Sequence, residues 1–271
     1  MSRPPRVLVV AGSDSGGGAG IQADIKTLSA LGAYAMTAVT AITVQNTMGV
    51  SDVHAIPPAV VAAQMRACLE DIGADAVKLG MLHSADLIGA VAAVLRDYPG
   101  IPVIADPVMV AKGGAALLQS EAVGALSADI LPLATVITPN TEEAAVLLGA
   151  PVGDDAAALA AAETLAARYG TAVLLKGGHL RGAGVRNLLL RPGQAAESFV
   201  SPRLETPHTH GTGCTLASAV SAGVAAGLPL GEAVAHACRF VHAAIANAPG
   251  FGGGHGPIDH LNQDFRLAMP R

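Results

Sequence analysis

Tryptophan is absent from the 271-residue sequence, aromatic residues make up only 3 % of it, and charged residues only 14 %. A core without large rings has to be assembled from Ala, Val, Leu and Ile, and at 51 % hydrophobic residues there is enough material for a large one. Long apolar runs are also missing. Stretches such as ATVITP and AVLLKGG end well short of the roughly 20 residues a bilayer requires. The opening MSRPPR leads into a short apolar segment and then Gly and Asp, which is not the pattern of a secretory signal. The cysteines number three (Cys68, Cys214 and Cys238) and lack Cys-x-x-Cys spacing. A disulfide framework is not expected, and a reduced, cytoplasmic protein is. There is no basic run and the formal net charge is −5, so a nucleic-acid surface is not expected either.

What is present alternates in type. Short β-branched runs at 7–10, 101–105, 135–137 and 173–175 suit strands covered on both faces, as in a parallel sheet. Between them lie amphipathic segments that predict helices over 20–31, 58–72, 84–97, 119–130, 141–148, 155–169, 214–226 and 230–247. In 58–72, for example, Val61, Met65, Cys68 and Ile72 share one stripe. The stretch 184–201 differs, with two strand-like runs flanking Arg191-Pro192-Gly193-Gln194, and reads as a β-hairpin. No linker or repeat divides the chain, so the expectation is one α/β domain, 1–271, with a doubly wound sheet and helices on both faces.

In such a sheet ligands sit beyond the carboxyl ends of the strands. The loops there are rich in Gly, Asp, Asn and Thr. The first, AGSDSGGGAG at 11–20, lacks the Lys-Ser/Thr of a Walker A loop. Its Gly18-x-Gly20-x-x-Ala23 also lacks the acidic residue some 20 positions on that a dinucleotide fingerprint needs. The second, His210-Gly211-Thr212-Gly213-Cys214, directly precedes the small-residue helix TLASAVSAGVAAG. Backbone N–H groups at that helix start make an anion site. Cys214 in its first turn is expected to have a lowered pKa and to act as nucleophile or general base, or else simply to pack the helix start. Asp106 and the pair Asn140/Glu143 end two other runs. They could organise Mg²⁺ and its waters, while Asn140 and Glu143 could equally form a capping box. Lys176 precedes two glycines that would let a phosphate approach. His208 and His210 have His-x-His spacing without a carboxylate cluster, which disfavours a zinc hydrolase. His255 and His260 in the glycine-rich tail are expected to be solvated.

The blocks VAGSDSGGGAGIQADIKT, TAVTAITVQNT, VKLGML, DPVMVAKGG, ITPNTEEA, LLKGGHL and THGTGCTLASA follow one another between about residues 6 and 247. Together they resemble the hydroxymethylpyrimidine/phosphomethylpyrimidine kinases of thiamin biosynthesis, in the ribokinase-like superfamily. The resemblance implies a three-layer αβα fold, ATP as phosphoryl donor with Mg²⁺, and two successive phosphorylations of 4-amino-5-hydroxymethyl-2-methylpyrimidine. By that likeness Gly211, Thr212 and Gly213 form the anion hole and Cys214 is the base. Lys176 neutralises phosphate, Lys176, Asn140, Thr212 and Gly213 hold ATP, and Asp106, Asn140 and Glu143 organise Mg²⁺ through water. Asp24, Gln45 and Met81, with Gly12, Ala19 and Val108, would surround the pyrimidine, Asp24 and Gln45 by hydrogen bonds to its edge. A homodimer is implied, and a pyridoxal kinase of the same superfamily is the alternative. One departure is Gly16, where the first loop of the family usually carries serine.

Overall fold

The computed structural model describes residues 3–110, 114, 117–119, 121–180, 182–261 and 263–267. Nine strands form one sheet in the order β3-β2-β1-β4-β5-β6-β7-β8-β9. The centre is β1 (Arg6–Asp14), flanked by β2 (Tyr34–Asn46) and β4 (Ala76–Leu79). Next come β5 (Val103–Ala105), β6 (Val136–Ile137) and β7 (Ala172–Leu175), and the ladder from β2 through β7 is parallel throughout. The edges turn antiparallel: β3 (Gly49–Ala55) on β2 at one side, and β8 (Gly184–Leu190) with β9 (Glu197–Pro202) at the other.

The continuous apolar runs are strands buried on both faces, as their composition requires. Along β1, Leu8 and Val10 enter one core while Val7, Val9 and Ala11 enter the other. The first core is covered by α2 (Pro58–Asp71), α3 (Ala85–Asp97), α4 (Ala122–Ala125), α5 (Thr141–Leu148) and α6 (Asp155–Tyr169). The second is covered by α1 (Gly20–Ala30), α7 (Thr212–Ala225) and α8 (Leu230–Ala246). This is the three-layer αβα arrangement.

Local signals set the helix ends. Asn140 accepts from the Glu143 N–H while the Asn140 N–H donates to Glu143 Oε2, both at 2.8 Å, so the capping box of α5 forms. Gly149 and Gly170, both left-handed, stop α5 and α6. The expected 119–130 helix is only partly regular: α4 runs into a π-helical turn at Leu126–Ile130 and a 3₁₀ turn at Leu131–Leu133. Helix α7 begins at Thr212, two residues before its predicted start, because Gly211 takes a left-handed φ and serves as the cap.

Candidate active site

Every parallel strand delivers a polar or flexible residue to the same rim. Asp14 ends β1, Gln45 lies at the end of β2, Met81 follows β4, Asp106 follows β5, Asn140 follows β6 and Lys176 follows β7. Together with the start of α7 they line a cleft of about 700 Å³, a volume suited to small-molecule ligands. One end is apolar: Ala41, Met81 and Leu117 form a small separate cluster with Val108 packed on it. Gly12, Ala19 and Gln45 also line the cleft.

The centre of the cleft is charged. Lys176 Nζ donates to Asp106 Oδ1 at 2.6 Å and stands 3.7 Å from Glu143 Oε2. Thr138 Oγ1 donates to the same Asp106 oxygen at 2.9 Å. Burial works against the lysine's charge, but Asp106 and Glu143 prevail and its pKa is raised. Burial pushes Glu143 up to about 7, with Asp106 adding to the rise and Lys176 opposing it. A Cβ on Gly213 would lie 3.4 Å from Lys176 Nζ and 3.6 Å from Asp106 Oδ2, so the first turn of α7 faces this pair directly. The N–H groups of a helix's first turn have no intrahelical acceptor, and here they open onto the cleft beside a lysine.

Cys214 is the third residue of α7 and lines the cleft. The expected lowering of its pKa is reversed: the thiol is pushed up to about 11. Burial is the main cause, and Asp24 and Asp106 add to it, outweighing Lys78 and the Gly20 N–H, which pull the other way. The helix-start field alone does not overcome desolvation.

Asp24 is also placed differently from expectation. It does not line the cleft. Its side chain is fully buried and accepts Lys78 Nζ at 2.9 Å on both oxygens and Ser218 Oγ at 2.7 Å. Fully buried and outside the cleft lining, it is not placed to meet a pyrimidine. Gln45 does remain at the cleft, its Nε2 3.2 Å from His210 Nε2 and its Oε1 accepting Thr43 Oγ1 at 3.1 Å. In the DPVMVAKGG loop, Val108 lines the cleft, while residues 111–113 lie outside the described residues.

Three residues of the site were not singled out from the sequence as functional. Asp14 organises the first glycine loop, accepting the N–H groups of Gly16 (2.8 Å), Gly18 (3.0 Å) and Ala19 (2.8 Å). Burial would raise its pKa, but His210 and these N–H groups hold it below the usual value. His210, considered only as a metal ligand, sets its Nε2 3.0 Å from Asp14 Oδ2 and so ties the second glycine loop to the first. Gly16 fits this arrangement, since a Cβ there would stand 3.2 Å from Asp14 Oδ1 and 3.3 Å from the Gln45 carbonyl oxygen. The third residue, Lys78, is buried at the floor of the cleft, which it lines.

Residues 14–259 match the family model described as phosphomethylpyrimidine kinase. The chain belongs to the phosphomethylpyrimidine kinase family. It is 47 % identical over 264 residues to the hydroxymethylpyrimidine/phosphomethylpyrimidine kinase of Haemophilus influenzae, covering 96 % of this chain and 98 % of that protein. It is 52 % identical over 255 residues to the thiamine biosynthesis bifunctional protein ThiED of Geobacter sulfurreducens. That match covers 94 % of this chain but only 52 % of the longer relative, so the chain spans about half of it. Among solved structures, the ADP complex of Bacillus subtilis pyridoxal kinase superposes with a TM-score of 0.88 at 37 % identity, over 95 % of this chain and 98 % of that one. The ribokinase-like fold expected of this kinase family is therefore present. No helix among the described residues is long and apolar enough to cross a membrane.

Of the two tail histidines of this phosphomethylpyrimidine kinase family member, one differs from expectation. His255 is exposed, but His260 is buried with its Nε2 2.9 Å from Thr215 Oγ1, next to Cys214 in the chain. Burial, then Lys26 and His210, lower its pKa to about 4, with Asp259 opposing. Above pH 6.5 both folded and unfolded states are neutral here and the group's contribution is complete. As pH falls towards 4 the unfolded chain takes the proton first and stability is lost, on the order of 3 kcal/mol in full. Glu143 acts in the opposite sense, because its raised pKa lets the folded state bind the proton first between about 7 and 4.5. Comparison with a variant separates the two. His260→Gln should lose less stability than the wild type in urea titrations between pH 7 and pH 4.5, and equal losses would show that His260 is not the source.

Proposed function

We propose that the chain transfers the γ-phosphoryl group of ATP to the hydroxyl of 4-amino-5-hydroxymethyl-2-methylpyrimidine, and then a second phosphoryl group to the resulting monophosphate. One observation carries this reading beyond family membership: the open first turn of α7 faces the Lys176–Asp106 pair, with the Cys214 thiol at the same helix start. Phosphoryl transfer needs positioning and charge stabilisation more than covalent chemistry, and this arrangement offers both.

In this reading Gly211, Thr212 and Gly213 receive the transferring group on their N–H groups, and Lys176 compensates its charge. Thr212 Oγ1 donates to the Thr209 carbonyl at 3.1 Å and steadies the loop. Cys214 Sγ takes the hydroxyl proton as the substrate oxygen bonds to Pγ and the bond from Pγ to the leaving ADP oxygen breaks. Lys176, Asn140, Thr212 and Gly213 hold the nucleotide phosphates. Gly12, Ala19, Gln45, Met81 and Val108 surround the pyrimidine. The residues present fit Mg²⁺ that arrives with the nucleotide. No group of three or more His, Cys, Asp or Glu forms a closed cage among the described residues, yet Asp106, Glu143 and the Asn140 amide supply a few hard oxygens at the cleft. Mg²⁺ retains waters and favours such partial protein ligation; when bound it would offset phosphate charge. The reading takes residues 1–271 as one catalytic domain of a cytoplasmic enzyme without nucleic-acid or membrane partners. A homodimer belongs to it, for which exposed Ile42, Val44 and Met48 near the β2–β3 edge offer an apolar face and sedimentation of the whole chain is the test.

ADP release with ATP·Mg²⁺ should be robust for the hydroxymethylpyrimidine and its monophosphate, weaker for pyridoxal and negligible for ribose. Pyridoxal as the best acceptor would overturn the substrate assignment. Gln45→Met should lower the ratio of kcat/KM for the pyrimidine over pyridoxal by about 10-fold or more, because a buried ring edge loses its hydrogen-bonding partner. An unchanged ratio would remove Gln45 from specificity.

A further inference from the structure

Asp24 and Lys78 form a fully buried ion pair that the reaction as described does not use. Their disposition is asymmetric. Lys78 lines the floor of the cleft and Asp24 does not, so the pair turns its positive end towards the ligand. Three elements fix that orientation. Asp24 comes from α1, Lys78 from β4, and Ser218 on α7 donates its hydroxyl to Asp24. Ser218 is four residues after Cys214 on the same helix, so the two share a face and the pair is anchored one turn below the thiol. Gly80 leaves room for the ammonium, since a Cβ there would come within 3.2 Å of Lys78 Nζ.

We propose that Lys78 is a positioning residue for Cys214: a buried cation, held in place by Asp24 and Ser218, that steadies the sulfur in its anionic form while the substrate hydroxyl gives up its proton. This deepens the reading of Cys214 as the base and rests on it. Other charged groups act on the same sulfur. Asp24 from α1 and Asp106 after β5 oppose its ionisation, and Lys176 after β7, whose own charge the sulfur supports, favours it. The Gly20 N–H at the start of α1 also favours the anion. Lys78 is the largest favourable influence among them, and burial does not discharge it, because Asp24, with Cys214 and Asp106 after it, keeps its pKa raised. An arginine or a methionine in its place would lose either the fit beside Gly80 or the charge.

Lys78→Met alone strands the Asp24 carboxylate in the interior, and Asp24→Asn alone removes the partner that keeps Lys78 charged, so the variant that replaces both makes the test. In Lys78→Met/Asp24→Asn both charges are gone and no buried charge is left unpaired. Alkylation of Cys214 by iodoacetamide is followed by peptide mass spectrometry across pH in the ligand-free protein. The midpoint should move up by about half a unit to one unit in the double variant relative to wild type, since Lys78 acts on the sulfur more strongly than the Asp24 lost with it. General loosening of the fold would relieve the burial of the thiol and move the midpoint down towards its ordinary value, and that result, or no shift, would overturn the proposal. The measurement needs no substrate, so its failure is distinct from failure of Cys214 as the base, which is read from turnover.

Discussion

Cys214→Ala should fold with an unchanged circular dichroism spectrum and lose about 10²- to 10⁴-fold in kcat, the span associated with removing a positioned general base. KM for ATP should change little, since the nucleotide phosphates rest on Lys176, Asn140 and the backbone of the loop. The pH dependence is the sharper signature. A base must be deprotonated to act, and with the thiol pushed up to about 11, the wild-type kcat/KM should still be rising through pH 7 to 9. That rise should vanish in Cys214→Ala. Cys214→Asp, whose ordinary pKa lies about 4 to 5 units below that of a thiol, should shift the rise to lower pH while keeping more activity than the alanine variant. Steady-state ADP release over pH 6 to 10 checks all three. Near-normal turnover by Cys214→Ala would move the proton to another acceptor, such as a phosphate oxygen of the donor.

The sheet and most helices were legible because their causes are local. Runs such as VLVV and AVLL can only be strands covered on both sides, and the Asn140–Glu143 spacing announces a helix start. Strands β2, β3 and β4 were not among the expected runs; β3, GVSDVHA, lies at an exposed edge and has no apolar run, and its pairing with β2 makes it a strand. The rim of the site was legible for a related reason, since strand ends in a parallel sheet must open onto one side. What could not be read was which side chains beneath that rim would meet. Asp24 and Lys78 are 54 positions apart, and nothing local to either says that they will be sealed together. Asp14 and His210 are 196 positions apart, yet they join the two glycine loops. The sign of the Cys214 shift failed similarly: the helix start is a local feature, whereas desolvation with Asp24 and Asp106 nearby is a property of the whole fold.

Those joined loops make Gly211→Ala the other large effect. The residue has φ of 83°, and a Cβ on it would lie 1.8 Å from the Gly18 carbonyl oxygen and 3.4 Å from Ala19 Cα. The left-handed conformation alone costs a non-glycine residue about 1–2 kcal/mol. The contact cannot be relieved by a rotamer, because both partners are backbone, so the loops must separate by more than an ångström. That movement carries the anion site of α7 away from the acceptor pocket, and a displacement of that size costs around 10²-fold in rate even when every catalytic group is retained. Gly211→Ala should therefore lose at least about 10²-fold in kcat/KM and show a lower Tm. Gly193→Ala is the matched control: it has φ of 72° in the β8–β9 turn with nothing within 4 Å of its Cβ. It should share the conformational cost and some fall in Tm while keeping its activity. If Gly211→Ala instead behaved like Gly193→Ala, the close meeting of the two glycine loops would be incidental, and the acceptor and phosphoryl sites would have to be aligned by the strand ends alone.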